Sequence, residues 1–214
     1  MTAKRSAGQI PAPGSRERLL RTMGKLLRRQ GYAASGLQEI VREAGAPVGS
    51  LYFHFPGGKE QLAAEAVARS GGRIGERLAW LLARADVPTA VRAIAGAMGE
   101  DLRRSRFCHG CPIGSTALER AADSEPIRSA AAGVFDQWEL LFVQRLCADG
   151  FDAERARRIA GLVVAMLEGA LLVARTRRSV EPLHTAADLV AGWIAAEMPS
   201  SKSEHSARPV EEKT

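Results

Sequence analysis

Aromatic residues and cysteines are scarce in this sequence, and each shortage excludes a class of protein. Aromatic residues make up 5% of the 214 residues, whereas alanine, leucine, arginine and glycine dominate, which favours helices over strands. Three cysteines, an odd number, do not form the disulfide framework of a small secreted domain. Residues 1–15 lack the apolar run of a signal peptide, and no uninterrupted apolar stretch reaches the roughly 18 residues of a membrane span. We therefore expect a cytoplasmic protein.

A recognisable catalytic constellation is also lacking. No Ser/His/Asp order, pair of carboxylates or phosphate-binding loop can be identified. We therefore predict that the protein is not an enzyme and uses no cofactor. The four histidines are scattered along the chain: His54, His109, His184 and His205.

Positive charge is concentrated near the N-terminus. The formal net charge is +6, and residues 1–60 contain ten basic and four acidic side chains, whereas residues 61–214 contain 20 of each. The whole positive excess therefore lies in the first 60 residues. This asymmetry is typical of a polyanion-binding module attached to a neutral body, although a solvated basic face without a partner gives the same count.

The apolar residues follow a helical period throughout the central part of the chain, and no convincing strand pattern is present. We predict an all-α protein of about nine helices. Residues 1–14 are expected to be a flexible arm, residues 15–60 a first domain, residues 61–198 a larger second domain, and residues 199–214 a disordered tail. Gly71, Gly72 and Gly75 are expected to weaken the middle of the long helix that starts after Gly58.

The first domain has the pattern of a helix-turn-helix. A first helix, residues 16–30, repeats leucine and methionine along one face. A second helix begins at Ser35, which forms a capping box with Gln38. A third opens at Pro47, where the missing N–H has no helical partner. Two short helices joined by a glycine-containing turn and braced by a longer helix form this motif.

Residues 31–62 contain a more specific pattern: Gly-Tyr-x-x-Ser-x-Leu-x-x-Ile-x-x-x-Ala-Gly-Ala-Pro-x-Gly-Ser-Leu-Tyr-x-His-Phe-Pro-x-Gly-Lys-x-x-Leu. This pattern resembles the TetR family of one-component transcriptional regulators. The stretches 111–119, 167–171 and 175–178 are similar to the subgroup typified by lincomycin-resistance repressors. The resemblance implies an all-helical homodimer that binds double-stranded DNA through helices one to three, with helix four as the link to the larger domain. A small apolar or aromatic effector bound in that domain would release a palindromic operator.

The recognition helix is expected to present its first turn to base edges in the major groove. Val48 is suited to a thymine methyl group, and the Ser50 hydroxyl can donate or accept. The family more often has a basic or polar residue at Val48, so guanine recognition is not expected there. By resemblance, Tyr52, His54 and Lys59 contact phosphates, although core packing is the alternative for the first two. The predicted DNA-binding residues are Ser35, Gly36, Pro47, Val48, Gly49, Ser50, Tyr52, His54 and Lys59.

Two further sites are expected in the larger domain. An interface between two copies of the chain is assigned to small and apolar residues of the last two helices. An effector pocket is assigned to large side chains that serve equally well as plain core, and Glu168 among them contacts either a ligand or an interface arginine. The predicted interface residues are Leu162, Ala165, Gly169, Leu172, Leu183, Val190 and Ile194, and the predicted pocket residues are Trp80, Met98, Phe135, Trp138, Phe142, Met166 and Glu168.

A cysteine-rich loop leaves alternatives open. Cys108, His109 and Cys111 are three potential metal ligands within four residues, and a Cys-x-x-Cys pair also suits a redox sensor or a thiol-dependent enzyme. A fourth ligand is missing nearby, so we assign no metal. The third interpretation makes Cys111 a core residue and Cys108 incidental. Cys147, next to Leu146, is predicted to be a small buried hydrophobic residue.

Overall fold

The computed structural model describes residues 14–198, and this part of the chain forms nine α-helices and no strand. The predicted all-α fold and its number of helices are confirmed. The expected arm, with Lys4 and Arg5, and the expected tail lie outside the described residues, except for Gly14. The helices are α1 (Ser15–Gln30), α2 (Leu37–Ala44), α3 (Val48–His54), α4 (Gly58–Leu82), α5 (Val87–Arg104), α6 (Pro112–Arg120), α7 (Glu125–Ala148), α8 (Ala153–Arg177) and α9 (Glu181–Glu197).

Helix α1 organises the N-terminal three-helix unit. Its apolar stripe, which includes Leu19, Met23 and Leu26, is buried because the same face packs against α2, α3, α4 and α6. The Arg18 guanidinium donates to the carbonyl oxygens of Ala44 (2.9 Å) and Gly45 (3.2 Å). Carbonyls at a helix C-terminus lack intrahelical partners, so this arginine satisfies two of them and fixes the turn between α2 and α3.

The predicted capping box at Ser35 is wrong. Helix α2 begins at Leu37 with Gly36 as its N-cap and without a side-chain cap. The Ser35 hydroxyl instead donates to the Gly31 carbonyl at 2.6 Å, and the residue is fully buried. A hydroxyl close to the end of α1 has an unpartnered carbonyl within reach, and this bond replaces the forward cap.

The cysteine-rich loop ends where helix α6 begins. Helix α6 starts at Pro112, with Cys111 as its N-cap. The Cys111 sulfur accepts a hydrogen bond from the Gly114 N–H at 3.4 Å. Proline at the first helical position has no N–H to satisfy, so the sequence Cys111-Pro112 was itself the start signal.

Glycines in α4 allow close packing rather than weakening the helix. Helix α4 is continuous through Gly71 and Gly75 and lies against α7. A Cβ at Gly71 would overlap the Val134 side chain, and Gly75 faces the Trp138 indole. The Trp138 indole N–H donates to the Gly71 carbonyl at 3.0 Å. The missing side chains therefore let the α7 residues seat directly on the α4 backbone.

We expect Gly71→Ala to lower the free energy of unfolding by about 1–3 kcal/mol, because the added methyl group overpacks the contact with Val134. Gly72→Ala is the matched control, since a Cβ added at Gly72 would meet nothing within 4 Å. That change should stabilise the protein by up to about 1 kcal/mol through helix propensity. Urea titrations followed by circular dichroism measure both. Equal effects of the two substitutions would refute the packing role of Gly71.

Candidate nucleic-acid interface and cavity

Helix α3 divides into a buried and an exposed face. Leu51 and the following Phe55 are buried in the three-helix unit, whereas Val48, Tyr52 and Phe53 are exposed. Phe53 is 80% exposed, the second-highest value among the large apolar side chains that stand out as exposed. Phe53 was not predicted as a site residue, because the family pattern includes its neighbours Tyr52 and His54 but leaves position 53 open. Its position, opposite Leu51 on a short amphipathic helix, was the available signal.

The predicted DNA-binding residues are not equally accessible. Gly36, Pro47, Val48, Gly49 and Tyr52 are exposed, and Ser50 is half-buried. Ser35 is not available for a phosphate, because it is fully buried and its hydroxyl is bonded to the Gly31 carbonyl. Five of the predicted DNA-binding residues are therefore accessible around α2 and α3, and Ser35 is not.

His54 and Lys59 flank this surface with partners inside the protein. The His54 Nε2 lies 2.8 Å from the Ser15 hydroxyl oxygen. The Lys59 ammonium lies 4.1 Å from the centroid of the Tyr32 ring, a cation–π contact. Partial burial lowers the pKa of Lys59 from its ordinary value. Both side chains are therefore held in place at the edge of the surface, rather than free in solvent.

Many N-terminal arginines form ion pairs within the chain. Arg16 pairs with Glu65, Arg28 with Asp101, and Arg29 with Glu39 and Glu43. Several of these pairs join α1 to other helices and brace the fold. The positive charge counted in residues 1–60 is therefore only partly available to an external polyanion.

A cavity of about 840 Å³ lies between the N-terminal unit and the larger domain. Its walls come from α1, α4, α5, α7 and α8 together with the loop before α6. Four of the predicted pocket residues line it: Met98, Trp138, Phe142 and Glu168.

The other three predicted pocket residues lie elsewhere. Trp80 is exposed, with the Arg84 guanidinium 3.9 Å from its ring centroid. Phe135 packs edge-to-face on Trp138, with ring centroids 5.7 Å apart, and Met166 packs against the core on another face of α8. Helical spacing placed Phe135 near Trp138 correctly, but it could not show which of the two faces the cavity.

A carboxyl group and a thiol meet at the wall of the cavity. Burial raises the pKa of Glu168, and burial together with the Glu168 carboxylate raises the pKa of the Cys111 thiol. Glu168 forms no ion pair within residues 14–198, so the predicted arginine partner is not found there. A thiol with a raised pKa is a poor nucleophile and metal ligand, which disfavours redox or metal chemistry at Cys111.

The other cysteines also have clear positions. Cys108 is exposed, and its sulfur lies 3.7 Å from the Arg106 carbonyl oxygen. Cys147 is exposed, so its predicted burial is wrong: Leu146 takes the inward position of α7 at that point. Among residues 14–198, no group of three or more His, Cys, Asp or Glu side chains is arranged to hold a metal ion.

Three residues in α6 and the loop before it contact the end of α1 and the turn after it. We name Gly110, Ser115 and Glu119 the clasp. The Glu119 carboxylate on α6 accepts hydrogen bonds from the backbone N–H groups of Tyr32 (3.1 Å) and Ala33 (2.6 Å). The Gly110 N–H donates to the Arg28 carbonyl at 3.0 Å, and the Ser115 hydroxyl lies 3.3 Å from the Leu27 carbonyl oxygen. Gly31, with φ of +80°, leaves the space that the Glu119 carboxylate occupies. These contacts therefore join α6 and the loop before it to α1 and to the turn that precedes α2.

The sequence of this chain matches known protein families in both its N-terminal and its C-terminal part. Residues 19–66 match the family of bacterial regulatory proteins named after TetR, and residues 88–189 match the C-terminal domain of LmrA/YxaF-like transcriptional regulators. The chain is 36% identical over 177 residues to the uncharacterized HTH-type transcriptional regulator YxaF of Bacillus subtilis, covering 82% of this chain and 93% of YxaF. It belongs to the TetR family of transcriptional regulators.

A further relative agrees with this assignment, and a solved structure shows the same fold. The HTH-type transcriptional regulator LmrA of Bacillus subtilis is 36% identical over 170 residues, covering 79% of this chain and 90% of LmrA. The TetR regulatory protein of Rhodobacter sphaeroides has the same fold, with a TM-score of 0.73 at 23% identity over 83% of this chain and 97% of that one. The curated relatives are DNA-binding transcriptional regulators rather than enzymes, and the predicted family is confirmed.

In this TetR-family chain, an apolar face of α8 and α9 remains exposed. Leu162, Ala165, Gly169 and Leu172 of the predicted interface are exposed along one side of α8, and Val190 is half-buried. Leu183 and Ile194 do not belong to this face, because both are fully buried where α9 packs on α5 and α8. The exposed apolar residues of α9 are instead Leu189 and Trp193, shifted around the helix from the predicted set.

Helix α8 is apolar on both of its sides. By length and composition it could cross a membrane, and 39% of its most apolar window is buried within the chain. One such helix is weak evidence for a membrane span, because core helices share the same composition. Here one side packs against α7 and α9, and the opposite side bears the exposed face described above.

Proposed function

We propose that this TetR-family regulator is a cytoplasmic homodimeric repressor that binds a palindromic operator and is released from it by a small apolar or aromatic effector. The observation that carries the proposal is the position of the cavity. Its walls include α1, the central helix of the DNA-binding unit, and the clasp joins the same helix to α6. A bound molecule would therefore act on the DNA-binding unit through direct contacts.

Two copies of the chain would supply one recognition helix for each half-site of a palindrome. A single α3 helix reaches few base pairs, and dimeric helix-turn-helix proteins place two recognition helices about 34–36 Å apart, one turn of DNA. The exposed apolar face of α8 and α9 supports the pairing, because a face of this kind marks an interaction surface. Effector binding would change the separation of the two α3 helices and lower operator affinity.

Operator binding tests the assignment of base and phosphate contacts. We expect Tyr52→Ala, at the exposed phosphate-facing position, to weaken binding to all DNA sequences. Val48→Ala should instead alter sequence preference, with changes of about 10-fold at individual base pairs, because Val48 would contact a thymine methyl group. Fluorescence anisotropy with the DNA upstream of the gene and with single-base variants, at several salt concentrations, measures both effects.

The matched control is Arg42→Gln, which removes an exposed charge on α2 and leaves the recognition helix α3 unchanged. It should reduce the salt dependence slightly and leave the sequence preference unchanged. Binding by the parent protein that is independent of sequence would contradict the proposal. An unchanged base preference in Val48→Ala would remove Val48 from base recognition.

A further inference from the structure

Basic side chains dominate the charged lining of the cavity. The lining contains two carboxyl groups, Asp101 and Glu168. Against these stand six basic residues on α1 and α4: Arg21, Lys25, Arg28, Arg69, Arg73 and Arg77.

Two of the six cations have no ion pair within the described part of the chain. Arg21 and Arg69 share the Glu17 carboxylate, with N–O distances of 3.3 and 2.5 Å. Arg28 and Arg77 share Asp101, at 3.2 and 3.3 Å. Between residues 14 and 198, Lys25 and Arg73 are left without an acidic partner. Two unpaired cations beside a partly apolar cavity create a positive potential there, which attracts an anion.

Arg73 lies far along α4 from the recognition helix. Arg73 follows Gly58, the first residue of α4, by 15 positions, which at the rise of an α-helix is about 22 Å. Helix α3 ends at His54, just before α4 begins. Arg73 therefore lines the cavity at a distance from the recognition helix, and its side chain is exposed to solvent.

The opposite wall of the cavity has a different character. Trp138, Phe142 and Leu167 line this side from α7 and α8, and all three are apolar and buried. Glu168 lies on this side, and burial raises the pKa of its carboxyl group. An anionic group would be attracted at Lys25 and Arg73 and would find no positive charge at Glu168. The cavity is thus polarised, with a cationic side on α1 and α4 and an apolar side on α7 and α8.

We propose that the effector of this regulator is an amphipathic organic anion, a carboxylate or sulfonate held by Lys25 and Arg73, with an apolar body against Trp138 and Phe142. The inference rests on the proposed function and narrows its effector class from apolar molecules to apolar acids. The anionic head would bridge α1 and α4, so that binding pulls directly on the helix that carries the DNA-binding unit.

A pair of fluorescent probes that differ in one charged group tests the proposal. 8-Anilinonaphthalene-1-sulfonate and N-phenyl-1-naphthylamine share the same aromatic body, and only the first has a sulfonate. Titration of the full-length protein should give a Kd about tenfold lower for the sulfonate, because two cations face it. Dodecanoate should displace the sulfonate probe more effectively than dodecanol does.

Charge-neutral variants locate the effect. Lys25→Gln and Arg73→Gln should each reduce the preference for the sulfonate, and the double variant should reduce it to less than about threefold. Arg128→Gln, at the solvent-exposed start of α7, is the charge-matched control and should keep the full preference. Circular dichroism and thermal melting check that each variant is folded.

Several results would overturn the inference: equal or tighter binding of the neutral probe, no binding of the sulfonate probe, or a preference that survives in the double variant. Operator binding, measured without any probe, distinguishes a failure of the effector class from a failure of the proposed function. A parent protein that binds its operator specifically but does not prefer the sulfonate refutes the effector class alone. A protein that binds no specific operator refutes the proposed function itself.

Discussion

Leu172→Glu is expected to convert the regulator to a monomer and to weaken operator binding about 100-fold or more, since one recognition helix then replaces two. Leu172 is 56% exposed and lies on the apolar stripe of α8 with Leu162, Ala165 and Gly169. A carboxylate there would be removed from water on dimerisation without a partner of opposite charge, which carries a large desolvation cost. Analytical ultracentrifugation gives the oligomeric state, and fluorescence anisotropy gives the operator affinity.

Leu140→Glu is the matched control for this experiment. Leu140 is 53% exposed on α7, away from the stripe on α8. The same substitution should leave the dimer and operator binding intact. A dimeric Leu172→Glu protein with normal affinity would disprove the assigned interface, and a monomeric Leu140→Glu protein would show that the interface extends to α7.

Glu119→Ala is expected to weaken the coupling between the cavity and the DNA-binding unit. It removes the acceptor for the Tyr32 and Ala33 N–H groups, and hydrogen bonds to a charged group are worth about 1.5–3 kcal/mol. Coupling between two sites is typically about 1–3 kcal/mol, so loss of these two hydrogen bonds is comparable with it. Amide hydrogen exchange at Tyr32 and Ala33 should accelerate about tenfold or more.

The functional readout is the ratio of operator affinities without and with the sulfonate probe. In Glu119→Ala this ratio should fall below about threefold, whereas operator affinity without the probe changes little. Glu76→Gln, an exposed carboxylate on α4 outside the clasp, should leave both readouts unchanged. A normal ratio together with accelerated exchange would show that the signal travels by another route.

The helices and the family were predictable because both depend on local pattern. The leucine and methionine period of α1, the proline at the start of α5 and the motif around α3 can be recognised along the chain without knowledge of distant neighbours. Ser35 was misplaced although it is local. Its hydroxyl can accept a hydrogen bond as the N-cap of α2 or donate one to a carbonyl at the end of α1. The Gly31 carbonyl, only four residues away, decides between the two.

The side-chain environments were less predictable because they depend on which helices meet. Leu183 and Ile194 have the same character as Leu189 and Trp193, and only the packing of α9 on α5 separates core from surface. Charge shows the same difficulty. The basic excess of residues 1–60 suggested a DNA-binding surface, yet Lys25 lines a cavity and Arg28 pairs with Asp101. The sequence shows that a cation is present, but the direction in which it points is a tertiary property.

Helix α1 has two roles. Its residues Leu19 and Met23 are buried in the core of the DNA-binding unit, and its residues Leu20 and Lys25 line the cavity. This shared use constrains how such a regulator can evolve. Substitutions on α1 that adapt the protein to a new inducer also alter how the recognition helix is held, so their effects on the two traits are epistatic. Divergence in inducer range should therefore accumulate first at the cavity-lining positions of α7, Trp138 and Phe142, which lie outside both the DNA-binding unit and the exposed face of α8. Directed evolution for new biosensors has the same safest starting point.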